Sequence, residues 1–256
     1  MNSSPEPTLR VHNLEVIFSD ASGVVHALRD LTFNLPHNGF VSLIGPSGCG
    51  KSTVLRVLAG LVHPTNGEVY FNTDQPKVGM VFQKANLMPW RRVLGNITLP
   101  LELGGLPQET ILARAQELIK LVGLEGFEGA YPRDLSGGMA QRVAIARSLM
   151  QDPDILLLDE PFGALDALTR ERMGDELLHI WQARRKTVLL VTHSIPEAVY
   201  LSDQVLVLSS RPGSIILDLP VDLPRPRTDD MRYSDTFSAL THTLRDTLQE
   251  DNGLAP

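Results

Sequence analysis

"GPSGCGKST", residues 45–53, follows the apolar run "FVSLI" (40–44) and opens "KSTVLRVLA" (51–59), in which Val54, Leu55 and Leu58 share one helical face. The stretch matches G-x-x-x-x-G-K-[ST], and it does so between a strand and a helix, the context that gives the pattern its meaning. Its glycines let backbone N–H groups turn inward around phosphate oxygens, and the helix N-terminus adds a partial positive charge. Lys51 is placed to reach the outer phosphates of a nucleotide, and the Ser52 hydroxyl to hold Mg²⁺. The reading therefore assigns Gly45, Pro46, Ser47, Gly48, Cys49, Gly50, Lys51, Ser52 and Thr53 to a nucleotide site.

The rest of the chain bounds what that site can belong to. With 256 residues, 43% of them hydrophobic, there is material for one large α/β domain or two small ones. A net charge of −7 lacks the electrostatic footprint of a general nucleic-acid binder, so no nucleic-acid partner is expected. The single cysteine, Cys49, excludes an internal disulfide and a multi-cysteine metal site. The start, "MNSSPEPTLR", shows no apolar core of a secretory signal, and no apolar run approaches the ~18 residues that span a bilayer. A chain soluble by itself and cytoplasmic is expected.

Periodicity supplies the architecture. "LRVHNLEVIF", "VVHALRDLTFNLP", "FVSLI", "EVYFN" and "VGMVF" read as strands, with "HNG" (37–39) as a turn. From 93 to 150 the pattern is helical. "PQETILARAQELIKLVG" opens on proline and closes on glycine, with Ile111, Ala115, Leu118, Ile119 and Val122 as its stripe. A further helix near 167–185 carries Met173, Leu177, Ile180 and Trp181. "ILLLDE", "TVLLVT" and "QVLVLSS" are buried strands, and a last amphipathic helix carries Phe237, Leu240, Leu244 and Leu248. Apolar strands alternating with helices predict an α/β fold with a mostly parallel core sheet, an antiparallel β layer formed by the N-terminal strands, and an inserted helical subdomain.

Three strand ends carry further chemistry. "ILLLDEP" (155–161) places Asp159 where a carboxylate can face a magnesium shell, and Glu160 where it can polarise a water. "TVLLVTH" ends on His193, and Gln83 follows "VGMVF"; at a strand end a glutamine can touch Mg²⁺ or orient water. A second glycine pair opens the helical run of "LSGGMAQR" (135–142). A helix start of this kind is an anion site, and one phosphate loop already surrounds the nucleotide from its own side.

Taken together, these motifs resemble those of the ATP-binding cassette (ABC) ATPases of the P-loop NTPase fold, in order and approximate spacing, over nearly the whole chain. The resemblance implies that ATP and Mg²⁺ are bound, with Ser52, Gln83 and Asp159 around the metal, and that Glu160, His193 and Gln83 serve catalysis. It implies a stacking aromatic at Phe18, a residue whose other reading is a strand core residue, and a D-loop at Ala164, Leu165 and Asp166. It also explains the second glycine pair: Ser136, Gly137, Gly138 and Met139 would face the ATP of a second copy in a head-to-tail dimer. Met139 departs from the usual glutamine, and Ser194 from the aspartate common after the histidine. A single ABC domain over 1–256 is implied: a core of 1–92 and 151–221, a helical signature subdomain of 93–150, and a tail and helix of 222–256.

Finer resemblance narrows the class. "VFQKANLMPWRRVLGNI" and "LSSRPGSIILDLPVDLPRPR" are similar to the nitrate/sulfonate/taurine-type importer ATPases, a group that also handles pyrimidine precursors. That implies membrane permease subunits and, indirectly, a solute-binding protein as partners, with the chain at the cytoplasmic face of the inner membrane. Leu87, Met88, Pro89 and Trp90 then form the permease-coupling surface, unless they are buried in the chain's own core. The alternative is a non-transport ABC ATPase; the absence of coiled-coil insertions and the single cassette speak against its DNA-repair and ribosomal forms.

Overall fold

The computed structural model describes residues 6–20 and 23–251. Residues 1–5, half of the N-terminal stretch read as lacking a signal core, and residues 252–256 lie outside it. In chain order the elements are β1 (Leu9–Asp20), β2 (Gly23–Leu35), β3 (Phe40–Ile44), α1 (Lys51–Leu58), β4 (Asn66–Phe71), β5 (Val78–Val81), α2 (Val93–Leu103) and α3 (Gln108–Leu121). They continue with α4 (Gly137–Leu149), β6 (Ile155–Asp159), α5 (Ala167–Arg184), β7 (Thr187–Val191), α6 (Ile195–Leu201), β8 (Gln204–Leu208), β9 (Ile215–Pro220) and α7 (Asp235–Asp251). Two compact units result, one of Met1–Gln75 with Thr187–Pro256, the other of Pro76–Lys186.

The first unit holds two kinds of sheet, and the sequence shows why. In β2 the residues Leu31, Phe33 and Leu35 are buried while Thr32 and Asn34 face out, the period-two pattern of a half-buried strand. It pairs antiparallel with β1, which pairs antiparallel with β4 on its other edge. By contrast β3 is buried at all five positions, the continuous apolar run of a strand covered on both faces. It lies parallel between β7 and β8, and β9 adds an antiparallel edge to β8. The one hydroxyl inside β3, Ser42, is paired with the buried Ser202 hydroxyl. α7 packs on α6, burying Phe237 and Leu244.

The second unit pairs β5 with β6 in parallel and packs α2, α3 and α4 on one another. α3 starts after Pro107, and Gly123, two residues past its last turn, takes φ 61°, so the proline-start and glycine-end signals mark the helix correctly. Its stripe of Ile111, Ala115, Leu118 and Ile119 is buried, as are Met173, Leu177, Ile180 and Trp181 of α5. These layers agree with the α/β expectation.

One irregular segment is held by side chains and not by a ladder. "LPRPR" (223–227) forms no regular element, yet its arginines fasten it to the end of α6. Arg225 donates to the Asp203 carboxylate at 2.7 Å and to the Leu201 carbonyl at 2.7 Å. Arg227 is buried and donates to the carbonyls of Tyr200, Ser202, Leu223 and Pro224. Burial first, and the neighbouring Arg225 second, push the Arg227 guanidinium down to about 10. Replacing Arg227 by alanine strands buried carbonyls, so Arg227→Ala should lower stability by about 2–3 kcal/mol. Urea unfolding should show this as a lower midpoint at unchanged slope.

Candidate nucleotide site and coupling surface

The phosphate loop leaves β3 at Ile44 and enters α1 at Lys51. Gly50 is the N-cap, with φ 114° and no side-chain cap. A Cβ there would fall 2.6 Å from Leu28 Cδ2 and 2.9 Å from the Ala27 carbonyl, so only glycine lets the loop pass β2. Gly50 has no side chain, so the N-cap itself offers no oxygen that would compete with an anion for the first N–H groups of α1. Lys51 is 7% exposed, and its Nζ donates to the Gly45 and Pro46 carbonyls at 2.8 Å each. Ser47 and Gly48 form the exposed rim, while Pro46, Ser52 and Thr53 are partly exposed.

Cys49 differs from its neighbours. It is 1% exposed, and burial raises its thiol above the ordinary cysteine value even though the Lys51 charge pulls the other way. A positive field at this loop suggests a reactive thiolate when the sequence is read alone. The structure overturns that expectation: the loss of hydration outweighs the field, and the group is a small packed hydrophobe.

His193 stands exposed two residues after β7. Its backbone is held by a cluster that sequence reasoning missed. The Thr192 hydroxyl donates to the Glu197 carboxylate and accepts from the Ser194 N–H at 3.0 Å. Ser194 caps α6, its hydroxyl accepting from the Glu197 N–H at 3.4 Å. Local support for the histidine loop thus comes from Thr192, Ser194 and Glu197 without an aspartate at 194. Phe18 sits opposite Val25 in the β1–β2 pair and is 44% exposed, so it is not a core residue.

In the second unit, Asp159 ends β6 and Glu160 follows in the left-handed region at φ 44°. For a residue with a Cβ this conformation costs roughly 1–2 kcal/mol. Strain of this kind persists where the surroundings over-determine it, and it concentrates at functional sites. Gln83 Nε2 donates to Glu160 Oε2 at 3.4 Å, which brings two of the assigned residues together. The linking residue is one the sequence reading passed over. Gln141 on α4 is buried and donates from Nε2 to the carbonyls of Pro161, Phe82 and Gln83 at 2.6, 3.1 and 3.3 Å. Arg147, one helix face further along α4, holds the carbonyls of Ala85 and Asn86.

At the start of α4, Ser136 is the N-cap, accepting from the Met139 N–H at 3.3 Å. Ser136 and Gly137 are exposed, Met139 is half-buried, and Gly138 is buried against Met173 and Thr169. Ala164 and Asp166 are exposed and Leu165 half-buried. Asp166 caps α5 by accepting from the Thr169 N–H at 3.0 Å, and hydrogen bonds from Thr169 hold its carboxyl below the usual range.

The segment Leu87–Trp90 is shaped by Asn96, which is fully buried in the first turn of α2. Its Oδ1 accepts from the Met88 N–H at 2.7 Å, and its Nδ2 donates to the carbonyls of Met88, Arg91 and Arg92 at 3.0–3.2 Å. The loop so gripped presents Trp90, 72% exposed, with Pro89 exposed and Leu87 and Met88 half-buried. Trp90 is therefore not a core residue. Arg91 is committed to Glu102 at 2.6 Å and to the Gly95 carbonyl, and Arg92 to the Gly129 carbonyl and the Tyr131 ring.

Ser52 in the first unit, and Gln83 and Asp159 in the second, each carry oxygen of the hard kind that magnesium takes, and among the described residues no three His, Cys, Asp or Glu side chains form a metal cluster. Mg²⁺ in nucleotide sites is bound through one or two protein oxygens plus phosphates and waters, so no such cluster is needed.

Comparison with known proteins extends this picture. The ABC transporter family model matches residues 28–163. An uncharacterized ABC transporter ATP-binding protein of Methanocaldococcus jannaschii is 53% identical over 86% of this chain and 84% of its own length. The taurine import ATP-binding protein TauB of Rhizobium johnstonii is 45% identical over 96% of this chain and 98% of its own. The aliphatic sulfonates import ATP-binding protein SsuB of Bacillus cereus is 42% identical over 91% and 92%. Among solved structures, the dimeric ATP-binding cassette MJ0796 bound to ADP and Pi superposes with a TM-score of 0.72 at 34% identity, covering 84% of this chain and all of that one.

The burial of Cys49 sets an outcome for labelling. At pH 7.5 the native protein should react with iodoacetamide at least about tenfold more slowly than the urea-unfolded chain, since both exposure and thiolate fraction are reduced. Equal rates, read by mass spectrometry, would return Cys49 to the reactive class.

Proposed function

The chain belongs to the ABC transporter family as an ATP-hydrolysing cassette, and on that premise we propose that it energises a membrane importer for a small sulfonate-type solute such as taurine. The observation that carries the importer reading is Trp90: a large aromatic side chain held in water on a loop whose backbone is fixed, on the segment that leaves Gln83. An exposed aromatic on a rigid base fits a protein partner. The near full-length similarity to taurine and sulfonate import ATP-binding proteins supports the solute class.

The residues divide the work chemically. Lys51 exchanges its two carbonyl acceptors for β- and γ-phosphate oxygens, which are stronger acceptors for an ammonium. The N–H groups of the loop and of the first turn of α1 bind the remaining phosphate oxygens. Phe18 stacks on adenine. Ser52, Gln83 and Asp159 hold Mg²⁺, which when bound neutralises charge on the phosphates. Glu160 accepts a hydrogen bond from the attacking water and orients it, Gln83 reports the state of the γ-phosphate, and His193 donates to it.

Ser136, Gly137 and Gly138, with Met139, Ala164, Leu165 and Asp166 nearby in the chain, serve the ATP of a second copy. Dimeric cassettes among the solved structures support this arrangement. In domain terms, 1–92 and 151–221 act as the nucleotide-binding core, 93–150 as the signature-bearing part, and 222–256 as a C-terminal tail and helix. Among the described residues no helix is long and apolar enough to cross a membrane, so the permease supplies the attachment, at the cytoplasmic face. A solute-binding protein delivers the solute to that permease.

Two variants test the proposal. Glu160→Gln should reduce turnover by roughly 10²–10⁴ while MgATP still binds, and should accumulate an ATP-bound dimer on size exclusion. Near-normal turnover removes Glu160 from its role. Trp90→Ala should leave the melting temperature and the ATPase rate of the isolated chain intact, yet weaken co-purification with the permease by about 2 kcal/mol and reduce taurine uptake. Unchanged uptake rules this surface out as the coupling site.

A further inference from the structure

The loop between β8 and β9, Ser209–Ser214, lies against the phosphate loop. Arg211 donates from both Nε and Nη2 to the Gly48 carbonyl, at 3.0 and 2.7 Å. The Gly213 N–H donates to the Ala27 carbonyl and the Gly213 carbonyl accepts from the Arg29 N–H, both at 3.0 Å, which docks the loop along β2. A Cβ on Gly213 would fall 2.3 Å from the Cys49 carbonyl, so this close approach depends on glycine. The loop's other side is tied to the end of α7: the Ser210 N–H and hydroxyl both donate to Asp251 Oδ2, at 2.6 and 2.7 Å. Asp251 is the last residue of α7, where a carboxylate opposes the helix dipole, and two hydrogen bonds to one oxygen give it a reason to be there.

We propose that Arg211 is a positioning residue of the nucleotide site and that the last turn of α7 holds it in place through Asp251 and Ser210. The mechanism is the geometry of one peptide. The Gly48 carbonyl and the Cys49 N–H belong to the same trans peptide and point in opposite directions. The Cys49 N–H turns back to the Pro46 carbonyl at 3.3 Å, and the guanidinium, bonded twice to the carbonyl at the other end of that peptide, holds this turn in place beside a glycine at φ 77°. A loop pre-set in this way binds phosphate without first losing conformational freedom. Ser210 is adjacent to Arg211 in the chain, so the hold of Asp251 on Ser210 restrains the backbone from which the guanidinium reaches. The C-terminal helix thereby acts on the site from outside it. Lysine, a single-point donor, reproduces the charge of Arg211 without the fork.

This inference rests on the reading of residues 45–53 as the nucleotide site. The test measures MgATP and MgADP affinity by equilibrium titration, and melting without nucleotide, in the full chain. Arg211→Ala should raise both dissociation constants about fivefold to tenfold, the range of an exposed charge-assisted hydrogen bond, with the melting temperature kept within about 2 °C. Arg211→Lys should recover less than half of the loss on a free-energy scale. Asp251→Asn together with Ser210→Ala should weaken nucleotide binding in the wild-type background and add nothing to Arg211→Ala, because a relay is non-additive. Unchanged affinity in Arg211→Ala, or full rescue by lysine, overturns the positioning role; additive losses overturn the relay. Lys51→Ala serves as the control. If it too binds MgATP normally, the assignment of the phosphate loop has failed; if it alone loses binding, only the present inference has.

Discussion

A lysine ammonium withdrawn from water organises the loop between β3 and α1 in the first unit of this protein. Lys51 gives up most of its hydration and receives two neutral carbonyls from its own loop in return. Neutral acceptors replace water imperfectly for a full charge, so the resting site favours any ligand that brings negative oxygens. Much of the local architecture follows from keeping that lysine where it is. β3 is buried at every position because it carries the loop between two parallel neighbours, Gly50 allows the chain to turn under β2, and Cys49 fills the space beneath. The thiol's raised pKa is a by-product of the same desolvation.

The second unit is organised by a side-chain amide and not by a charge. Gln141 binds carbonyls on both the segment leaving β5 and the segment leaving β6, so Gln83 and Glu160 are referenced to one point on α4. Since α4 begins at Ser136 and Gly137, a rigid rod of thirteen residues connects an exposed helix start to the loop that carries Gln83. Displacing either end moves both, because the packing of α2, α3 and α4 leaves little room for the helix to bend.

The sequence made the strand–loop–helix of residues 40–59 legible because its chemistry demands particular residues at fixed spacing. The same holds for the helical stripes, where burial obeys a period. Asn96, Gln141 and Arg211 were not legible for a common reason: each binds main-chain carbonyls, which carry no residue identity, and those of Gln141 and Arg211 are also far away in sequence. The distance from Arg211 to Gly48 spans 163 positions. "RPG" was visible as a group-level signature, but its contact was not. The burial of Cys49 was not legible either, because a one-dimensional pattern reports the field at a loop and says nothing of the water removed from it. For Phe18 and Trp90 a core placement stood open from the sequence, and exposure removes it for each.

The grip of Asn96 on its loop has a consequence for how such a surface can change. All four of its bonds go to the main chain of Met88, Arg91 and Arg92, and none to their side chains. The shape of the presented loop is thus independent of what the loop displays. The exposed Pro89 and Trp90 are therefore fittings on a fixed bracket: their side chains can be exchanged without loosening the bonds that hold the loop, so what this surface displays can change while its shape stays.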